Sequence, residues 1–462
     1  MVNDTICALA TAPGGALGII RISGPHSFEI LSHVFRGKGD VQSFPANTIH
    51  YGHIVEYDAV SQHPLPLDEV MLSIFRAPHS YTGEDSAEIT CHGSRYILNK
   101  VLELLIHHGC RMAGPGEYTM RAYLNGKMDL SQAEAVADLI ASSNKATHQM
   151  AMSQLRGHFS SELSQLREQL LHLTSLLELE LDFSDHEDLE FADRSELQEL
   201  AKTIDKQITK LAHSFEMGQA LKQGIPVTIV GKTNVGKSTL LNQLLHEDRA
   251  IVSDIHGTTR DTIEDTIDIQ GVTFRFIDTA GIRQTTDEIE QIGIERTYAA
   301  IDKARIVLWM IDAEPSQSEL QEIQERSNGK SLIIIENKID RTKEHIYLGS
   351  SSFDIPSVAF LQISAKFGTN IDEVEQAIFR AADIPTFNSS DVIVNNARHY
   401  DALQRAHVSL LSVLDGLKLQ TPSDLLAEDL RQTIEALAEI TGGQITPNEV
   451  LGNIFKNFCV GK

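Results

Sequence analysis

Hydrophobic and polar positions follow three different rhythms along the chain. From residue 1 to 119, short β-forming runs such as IIRISG, NTIHYGHIV, DEVMLSIF and AEITCHG lie between glycines, prolines and histidines, and the pattern predicts strands. Within this stretch YILNKVLELLIHHG (96–109) has the three-and-four spacing of an amphipathic helix. From 120 to 217 the rhythm is helical throughout: SQAEAVADLIASSNKATHQMAMSQLRGHFSSELSQLREQLLHLTSLLELELDF contains no proline and one glycine. From 218 to 383 short apolar runs alternate with amphipathic segments, the βα rhythm of a parallel sheet. From 384 to 462 helical spacing returns in ARHYDALQRAHVSLLSVLDGL and PSDLLAEDLRQTIEALAEITG. The expected architecture is multidomain α+β and α/β: an N-terminal α+β domain, a discontinuous helical domain, and an α/β domain inserted into it. Neither helical half buries its apolar stripe alone, so the two halves are expected to pack together.

Composition narrows what such a chain can do. Of 462 residues, 39 are Lys or Arg and 64 are Asp or Glu, a net charge of −25. That balance excludes a general nucleic-acid coat, which binds through released counterions; nucleic-acid contact must be local or shared with a partner. Cys7, Cys91, Cys110 and Cys459 form no C-x-x-C pair, so neither a zinc site nor a disulfide framework is expected. MVNDTICALATAPGG lacks the pattern of a signal peptide. The apolar runs IVLWMI (306–311) and SLIIIE (331–336) are too short to span a bilayer. A cytoplasmic protein without a membrane partner is expected. His50 and His53 are spaced to fall on opposite faces of a strand, poor geometry for a shared metal. DFSDHEDLEF (182–191) lacks the glycine of a calcium loop and reads as a solvated link. The leucines of SLLELEL read as core.

The inserted domain carries the clearest chemistry. In IPVTIVGKTNVGKSTLLNQLL, Gly231 and Gly236–Lys237–Ser238 fit G-x-x-x-x-G-K-[ST] between a strand and a helix, the context of a P-loop. Its backbone N–H groups cradle phosphates, Lys237 meets the β- and γ-phosphates, and the Ser238 hydroxyl ligates Mg²⁺. FRFIDTAG supplies Asp278 and Gly281; LIIIENKID supplies Asn337, Lys338 and Asp340; QISAK supplies Ser364, Ala365 and Lys366. A carboxylate at 340 accepts from guanine N1–H and its exocyclic amine, donors that adenine lacks on that edge. This order of pieces at strand ends specifies GTP. HGTTRD places Thr259 to complete the Mg²⁺ shell on a segment ordered by the γ-phosphate. Ile282 stands where small signalling GTPases place a water-orienting Gln. Catalytic help must come from elsewhere, and Asn234 and the acidic DEIE (287–290) are the candidates, with a solvated switch face the plain alternative for the second.

GKTNVGKSTLLN, IHGTTRD, DTAGIR and ENKID, within an insert, resemble the MnmE (TrmE) family of tRNA-modification GTPases. So do DTICALATAPGGALGIIRISG, HSYTGEDSAEITCHG (79–93), GPGEYTMRAYLNGKMDLSQAEAVADLI (114–140) and the terminal FCVGK, which extends the resemblance over essentially the whole chain. Departures are few: Lys232–Thr233 stand where Arg–Pro is frequent, and His256 where Ala or Pro is common.

The resemblance implies a folate-binding and dimerising domain over 1–119, helical parts over 120–217 and 384–462, and a Ras-like G domain over 218–383. It implies a GTP-binding set of Asn234, Val235, Gly236, Lys237, Ser238, Thr239, Ser253, Asp254, Ile255, His256, Gly257, Thr258, Thr259, Asp278, Thr279, Ala280, Gly281, Asn337, Lys338, Asp340, Ser364, Ala365 and Lys366. Mg²⁺ falls on Ser238 and Thr259, and K⁺ on Asn234, Ser253, Ile255 and Thr258, where the cation stabilises developing charge as an arginine finger does elsewhere. The water-positioning acid falls on Glu290. A one-carbon tetrahydrofolate, 5,10-methylene- or 5-formyl-, falls on Arg21, Glu88, Lys127 and Lys462. From the residues alone, Arg21 and Glu88 read as an internal ion pair and Lys127 as a surface lysine; the resemblance favours ligand contacts. It implies a homodimer that joins MnmG in a heterotetrameric or larger complex. Together they install a (carboxymethyl)aminomethyl group on C5 of wobble uridine 34 of certain tRNAs. Alternatives of other classes are a ribosome-assembly or RNA-chaperone GTPase, and a folate-dependent GTP switch without catalysis.

The terminal NFCVGK fits no lipid anchor, since no polybasic run precedes Cys459 and Lys462 is a poor final residue for prenylation. It reads as a tail near the folate site, with Gly461 allowing a tight turn, Lys462 reaching the ligand, and Cys459 serving as nucleophile or proton-transfer group. A buried thiol that docks the tail is the alternative.

Overall fold

The computed structural model describes residues 4–57, 63–182, 194–246, 265–277, 298–341, 359–384 and 391–443, together with 451, 454–456, 458, 459 and 461. They form two compact units, Met1–Ala141 with Ala151–Ile208 and Ala402–Lys462, and Ser142–Met150 with Thr209–Asp401.

The first unit is built on a seven-stranded sheet. Its strands are β1 (Ile6–Leu9), β2 (Leu17–Ser23), β3 (Phe35–Gly37), β4 (Thr48–Tyr57), β5 (Pro64–Phe75), β6 (Ser86–His92) and β7 (Arg111–Met112), in the order β3-β4-β5-β6-β2-β1-β7. All pairings are antiparallel except that of β1 with β7. Alternation along the strands gives the sheet two unlike faces. Ile20, Ile22, Ile54, Leu72, Ile74 and Ile89 point to one side, where α1 (Ser27–Val34) and α2 (Arg95–His107) close a core with Leu31, Val34, Leu98, Val101 and Leu105. On the other face Ile49, Tyr51 and Met71 remain 63%, 58% and 44% exposed. His50 stacks on Phe44 while His53 lies beside Tyr51 and Glu69 on the opposite face, as the spacing predicted. Among the described residues no group of histidines, cysteines and carboxylates could hold a metal, and no helix is long and apolar enough to cross a membrane.

Helices continue the same unit: α3 (Glu117–Leu124), α4 (Leu130–Ala141), the end of α5 (Lys145–Leu155) from Ala151 on, and α6 (His158–Asp182). Leu163, Leu166, Leu170, Leu173 and Leu177 of α6 are all buried, so its leucine stripe is core. The spacing of three and four residues keeps them on one helix face. Leu197, Ala201, Ile204 and Ile208 of α7 (Arg194–Gln223) are also buried. So are Leu403, Leu410 and Val413 of α11 (Ala397–Lys418) and Leu426, Leu430, Leu437 and Ile440 of α12 (Ser423–Thr441). α12 packs along α6, the expected pairing of helices from either side of the insert.

The second unit is a six-stranded sheet. β8 (Ile225–Val230), β9 (Asp265–Ile269), β10 (Val272–Phe276), β11 (Ile306–Ile311), β12 (Ser331–Glu336) and β13 (Ala359–Gln362) lie in the order β13-β12-β11-β8-β10-β9, all parallel but β9. Strands covered on both faces read as continuous apolar runs, and every residue of IVLWMI is buried. Gln270 (φ 55°) and Gly271 (φ 84°) make the two-residue turn joining β9 to β10, the positive-φ pair that matches strand twist. α8 (Lys237–His246), α9 (Gln317–Arg326) and α10 (Ile371–Ala381) also belong to the unit. Residues 142–150, part of the helical stretch by sequence, belong here. Ala146 and Met150 join the core around Phe274, Ala146 N–H donates to Gly271 O at 3.0 Å, and Asn144 Nδ2 to Thr273 Oγ1 at 2.7 Å.

An ion network centred on buried Arg121 and Glu117 ties the first unit together. Arg121 on α3, 3% exposed, donates to Asp4 Oδ1 (2.6 Å), Asp4 O (2.9 Å), Glu84 Oε1 (3.2 Å) and Glu117 Oε1 (3.0 Å). Arg111 donates to Asp4 Oδ2 (2.7 Å) and to both oxygens of Glu117 (2.5 and 3.0 Å). Burial, the largest influence on Asp4 and Glu117, works to raise their pKa; the guanidinium hydrogen bonds outweigh it and hold both carboxyls below their ordinary values. Removing one partner of such a buried pair strands charge. Arg121→Met should therefore lower unfolding free energy by about 3–5 kcal/mol in urea titrations. Because the folded pKa values are depressed, this contribution is complete above about pH 5 and is lost as pH falls through the folded values. The urea midpoint should accordingly drop on acidification in the wild type, and less steeply in Arg121→Met.

Candidate functional site

Three loops meet at the carboxyl ends of the parallel strands, where open α/β sheets bind ligands. The first, 231–236, leaves β8 and enters α8. Gly231 (φ 147°) and Gly236 (φ 107°) take backbone angles that side chains rarely adopt, and a Cβ on Gly231 would lie 2.4 Å from Met310 O. Asn234 also has a left-handed φ, 62°. Lys237 Nζ donates to Gly231 O (2.7 Å) and Lys232 O (2.8 Å), which folds the lysine over its own loop, and burial lowers its pKa. Phosphate oxygens inside the loop would give that ammonium charged acceptors in place of neutral carbonyls. Ser238 and Thr239 follow in the first turn of α8, and the N-terminus of a helix favours an anion.

The second and third loops leave β12 and β13. Asn337, 5% exposed, donates from Nδ2 to Val235 O (2.8 Å) and accepts at Oδ1 from Ala365 N–H (2.9 Å). One carboxamide thus fixes the phosphate loop to the 364–366 loop. A Cβ on Gly236 would lie 2.2 Å from Asn337 Nδ2, so the glycine is what lets that amide in. Lys338 (φ 68°) pairs with Asp312 at 2.6 Å. Asp340 Oδ1 accepts from Ser364 Oγ at 2.6 Å, and this hydrogen bond is the main reason its pKa lies below the ordinary value. Lys366 lies over the Phe367 ring. The described members of the expected nucleotide set therefore come together. Ser253, Asp254, Ile255, His256, Gly257, Thr258, Thr259, Asp278, Thr279, Ala280, Gly281 and Glu290 lie outside the described residues.

A second constellation sits on the first unit. Arg21 and Glu88 face each other across β2 and β6. Arg21 donates from Nε (3.0 Å) and Nη2 (2.7 Å) to Glu88 Oε1, and from Nη1 to Gly461 O (3.2 Å). The internal ion pair read from the residues alone is present. It is also open, with side chains 21% and 26% exposed. Tyr81 and Tyr118 flank the guanidinium at 5.6 and 5.5 Å, and Tyr118 Oη donates to Arg21 O at 2.8 Å. Lys127 Nζ donates to Pro78 O (2.9 Å) from a position at the surface. Cys459 is exposed, whereas Cys7, Cys91 and Cys110 are buried. The alternative of a buried docking thiol is thereby corrected: the tail is seated by Phe455, 2% exposed, and not by sulfur. Lys462 lies outside the described residues.

Two family models match the chain: the TrmE N-terminus of GTP-binding proteins over residues 5–127, and the MnmE helical domain over 130–459. It is also 55% identical, over 100% of both chains, to the tRNA modification GTPase MnmE of Phocaeicola vulgatus. The chain belongs to the MnmE family of tRNA modification GTPases. The MnmE proteins of Bacteroides thetaiotaomicron (54% identical, 100% of both chains) and Porphyromonas gingivalis (49%, 100% of this chain and 98% of that one) are further relatives. As an MnmE-family member the chain is a GTP hydrolase of tRNA modification, with a P-loop unit set in a helical chain.

Residue patterns alone passed over Tyr81, Tyr118, Glu84 and Arg121, which shape the surroundings of Arg21 in this MnmE-family chain. Tyr81 Oη shares a hydrogen bond with Thr119 Oγ1 (2.9 Å), and Glu84 Oε2 accepts from Ser23 Oγ (2.8 Å). Their signals in the sequence were HSYTGED, which holds Tyr81 and Glu84, and GPGEYTMRAYL, which holds Tyr118 and Arg121. Gly236→Ala should push the Asn337 amide off Val235 O and lower GTP affinity at least about tenfold, roughly 1.4 kcal/mol, as read by fluorescent-nucleotide titration.

Proposed function

We propose that this chain is a potassium-activated GTPase that, with an MnmG partner, adds a (carboxymethyl)aminomethyl group to C5 of wobble uridine 34 using a tetrahydrofolate one-carbon unit. The observation that carries the folate part is the open Arg21–Glu88 pair with the chain's own tail seated on it. Glu88 Oε1 takes both guanidinium bonds, and Oε2 makes no hydrogen bond to a described residue, so it can accept from the amine edge of a pterin. Arg21, Lys127 and Lys462 are cations suited to the folate carboxylates. When bound, the folate supplies the carbon; Arg21 and Glu88 orient it, and exposed Cys459 serves as nucleophile or proton carrier at the modified base.

In the G domain, 218–383 on this reading, Ser238 and Thr259 hold Mg²⁺, and Asn234, Ser253, Ile255 and Thr258 hold K⁺. Mg²⁺ and K⁺ supply charge neutralisation at the phosphates when bound. Glu290 positions water, the role Ile282 cannot fill. The remaining division is 1–119 for folate binding and dimerisation, with 120–217 and 384–462 as the helical domain. The uncovered sheet face bearing Ile49, Tyr51 and Met71 supports a homodimer. With a charge of −25 the chain leaves much of the tRNA contact to MnmG, in a cytoplasmic complex.

GTP hydrolysis should be markedly faster in KCl than in NaCl; equal rates would remove the potassium mechanism, and a wild-type rate in Glu290→Ala would remove that residue's role. Calorimetry with 5-formyltetrahydrofolate should show binding that Arg21→Ala weakens by about 1.5–3 kcal/mol, the worth of a hydrogen bond to a charged group. Cys459→Ser should retain GTP hydrolysis and lose wobble-uridine modification in complemented cells.

A further inference from the structure

The tail meets the first unit at one residue that neither the nucleotide chemistry nor the ligand contacts use. Gly116 is the N-cap of α3, with φ 62° and ψ 9°. Its N–H donates to Cys459 O at 3.3 Å. A Cβ there would lie 2.8 Å from Phe458 Cβ and 3.1 Å from Phe455 Cδ1, so the tail packs directly against bare backbone. The Phe455 and Phe458 rings are 5.0 Å apart, and Phe455 is buried among Leu130, Ala133 and Leu451. Two residues beyond Cys459 the tail is fixed again. Gly461 has φ 96°, a Cβ on it would lie 2.3 Å from Leu9 O, and its carbonyl accepts from Arg21 Nη1.

We propose that Gly116 is a positioning residue for wobble-uridine modification: it seats the tail and so sets where Cys459 stands relative to Arg21. The next two residues show why this position suits the task. Glu117 is clamped by Arg111 and Arg121, which fixes the start of α3. Tyr118, fully buried, holds the backbone of Arg21 through its hydroxyl. Three consecutive residues therefore bind the tail, the ion network and the strand that carries the ligand arginine. A displacement of the first relative to the third changes the distance from Cys459 to the bound carbon donor. This inference rests on the reading of Cys459 as a participant in modification.

The test is a double-mutant cycle between Gly116→Ala and Phe458→Gly in the full-length chain. Wobble-nucleoside content is read in complemented cells, with amide hydrogen exchange of the 455–461 peptide and GTP hydrolysis read on purified protein. Gly116→Ala should slow modification on the order of 10²-fold, the scale of an ångström-level misplacement. It should expose the tail amides to exchange and leave GTP hydrolysis unchanged. In the Phe458→Gly background it should add much less than its own loss, because the closest of the contacts through which it acts is already gone and only Phe455 Cδ1 remains. Gly461→Ala, at the other end of the tail, should reproduce the exchange and modification defects, and serves as the readout if Gly116→Ala folds poorly. Multiplicative losses in the cycle would overturn the proposal, as would normal modification in Gly116→Ala or unchanged tail protection beside lost modification. If Cys459→Ser modifies tRNA normally, the reading of the thiol fails separately, and tail protection still decides whether Gly116 is the seat.

Discussion

The carboxamide of Asn337 is the contact on which the nucleotide site depends. It is buried, so its donor and acceptor must both be satisfied by protein, and the two partners lie on different loops: Val235 O on the phosphate loop and Ala365 N–H on the loop after β13. Satisfying one side chain therefore sets the distance between the 231–236 loop and the 364–366 loop. The parallel strands deliver all three loops to one edge, but strand ends alone do not fix loops to within a hydrogen bond. Gly236 completes the arrangement by leaving room for the amide, and Gly231 by letting the chain pass Met310 O. Ser364 Oγ, on that same third loop, holds the Asp340 carboxylate in turn.

The first unit solves a different problem. Arg21 is held firmly and still stays open to solvent. Its neighbours divide the work: Glu88 takes two of its hydrogen bonds on the open side, while Tyr118 fixes its backbone from the buried side. Beneath them Arg121 joins the chain start, the 79–85 loop and α3 through Asp4, Glu84 and Glu117. A buried guanidinium is costly unless its hydrogen bonds are well made. Here the cost fixes one arrangement of three segments that are distant in sequence, which an apolar side chain of similar size would leave free to slide.

Much of this was legible in the chain. The rhythm of apolar positions gave two sheets of the right kinds and the helices around them, because strand and helix periodicities are local properties. The P-loop was legible for the same reason, its glycines, lysine and serine being contiguous. Arg21 and Glu88 could be read as an ion pair because strands of matching pattern bring them opposite each other, but their openness to solvent could not, since that depends on which helices cover which face. The assignment of 142–150 to the α/β unit was hidden as well: Ala146 and Met150 continue a helical pattern, and only the place of that pattern against Phe274 decides which core they fill. Arg121 was invisible because its three carboxylate partners are 4, 37 and 117 residues away. Family resemblance supplied ligand roles that the residues alone left open.

The phosphate loop and the tail both rely on backbone contacts. In the phosphate loop and at the tail seat, glycines bring an N–H or carbonyl against a partner at distances that a Cβ would forbid. A backbone donor carries no rotamer entropy of its own, so once the chain path is fixed its direction is fixed too. The cost is the extra freedom glycine has in the unfolded chain, and it is offset by what surrounds each glycine: the covered strands β8 and β11 at Gly231, and Tyr118, Phe455 and the clamped Glu117 at Gly116. Such a seat tolerates change at the charged side chains better than change at the glycine. Charge lost at Lys127 weakens the one contact to Pro78 O, whereas a methyl group at 116 displaces a whole segment. In this chain the residues with the least chemistry of their own thus fix the backbone path around them.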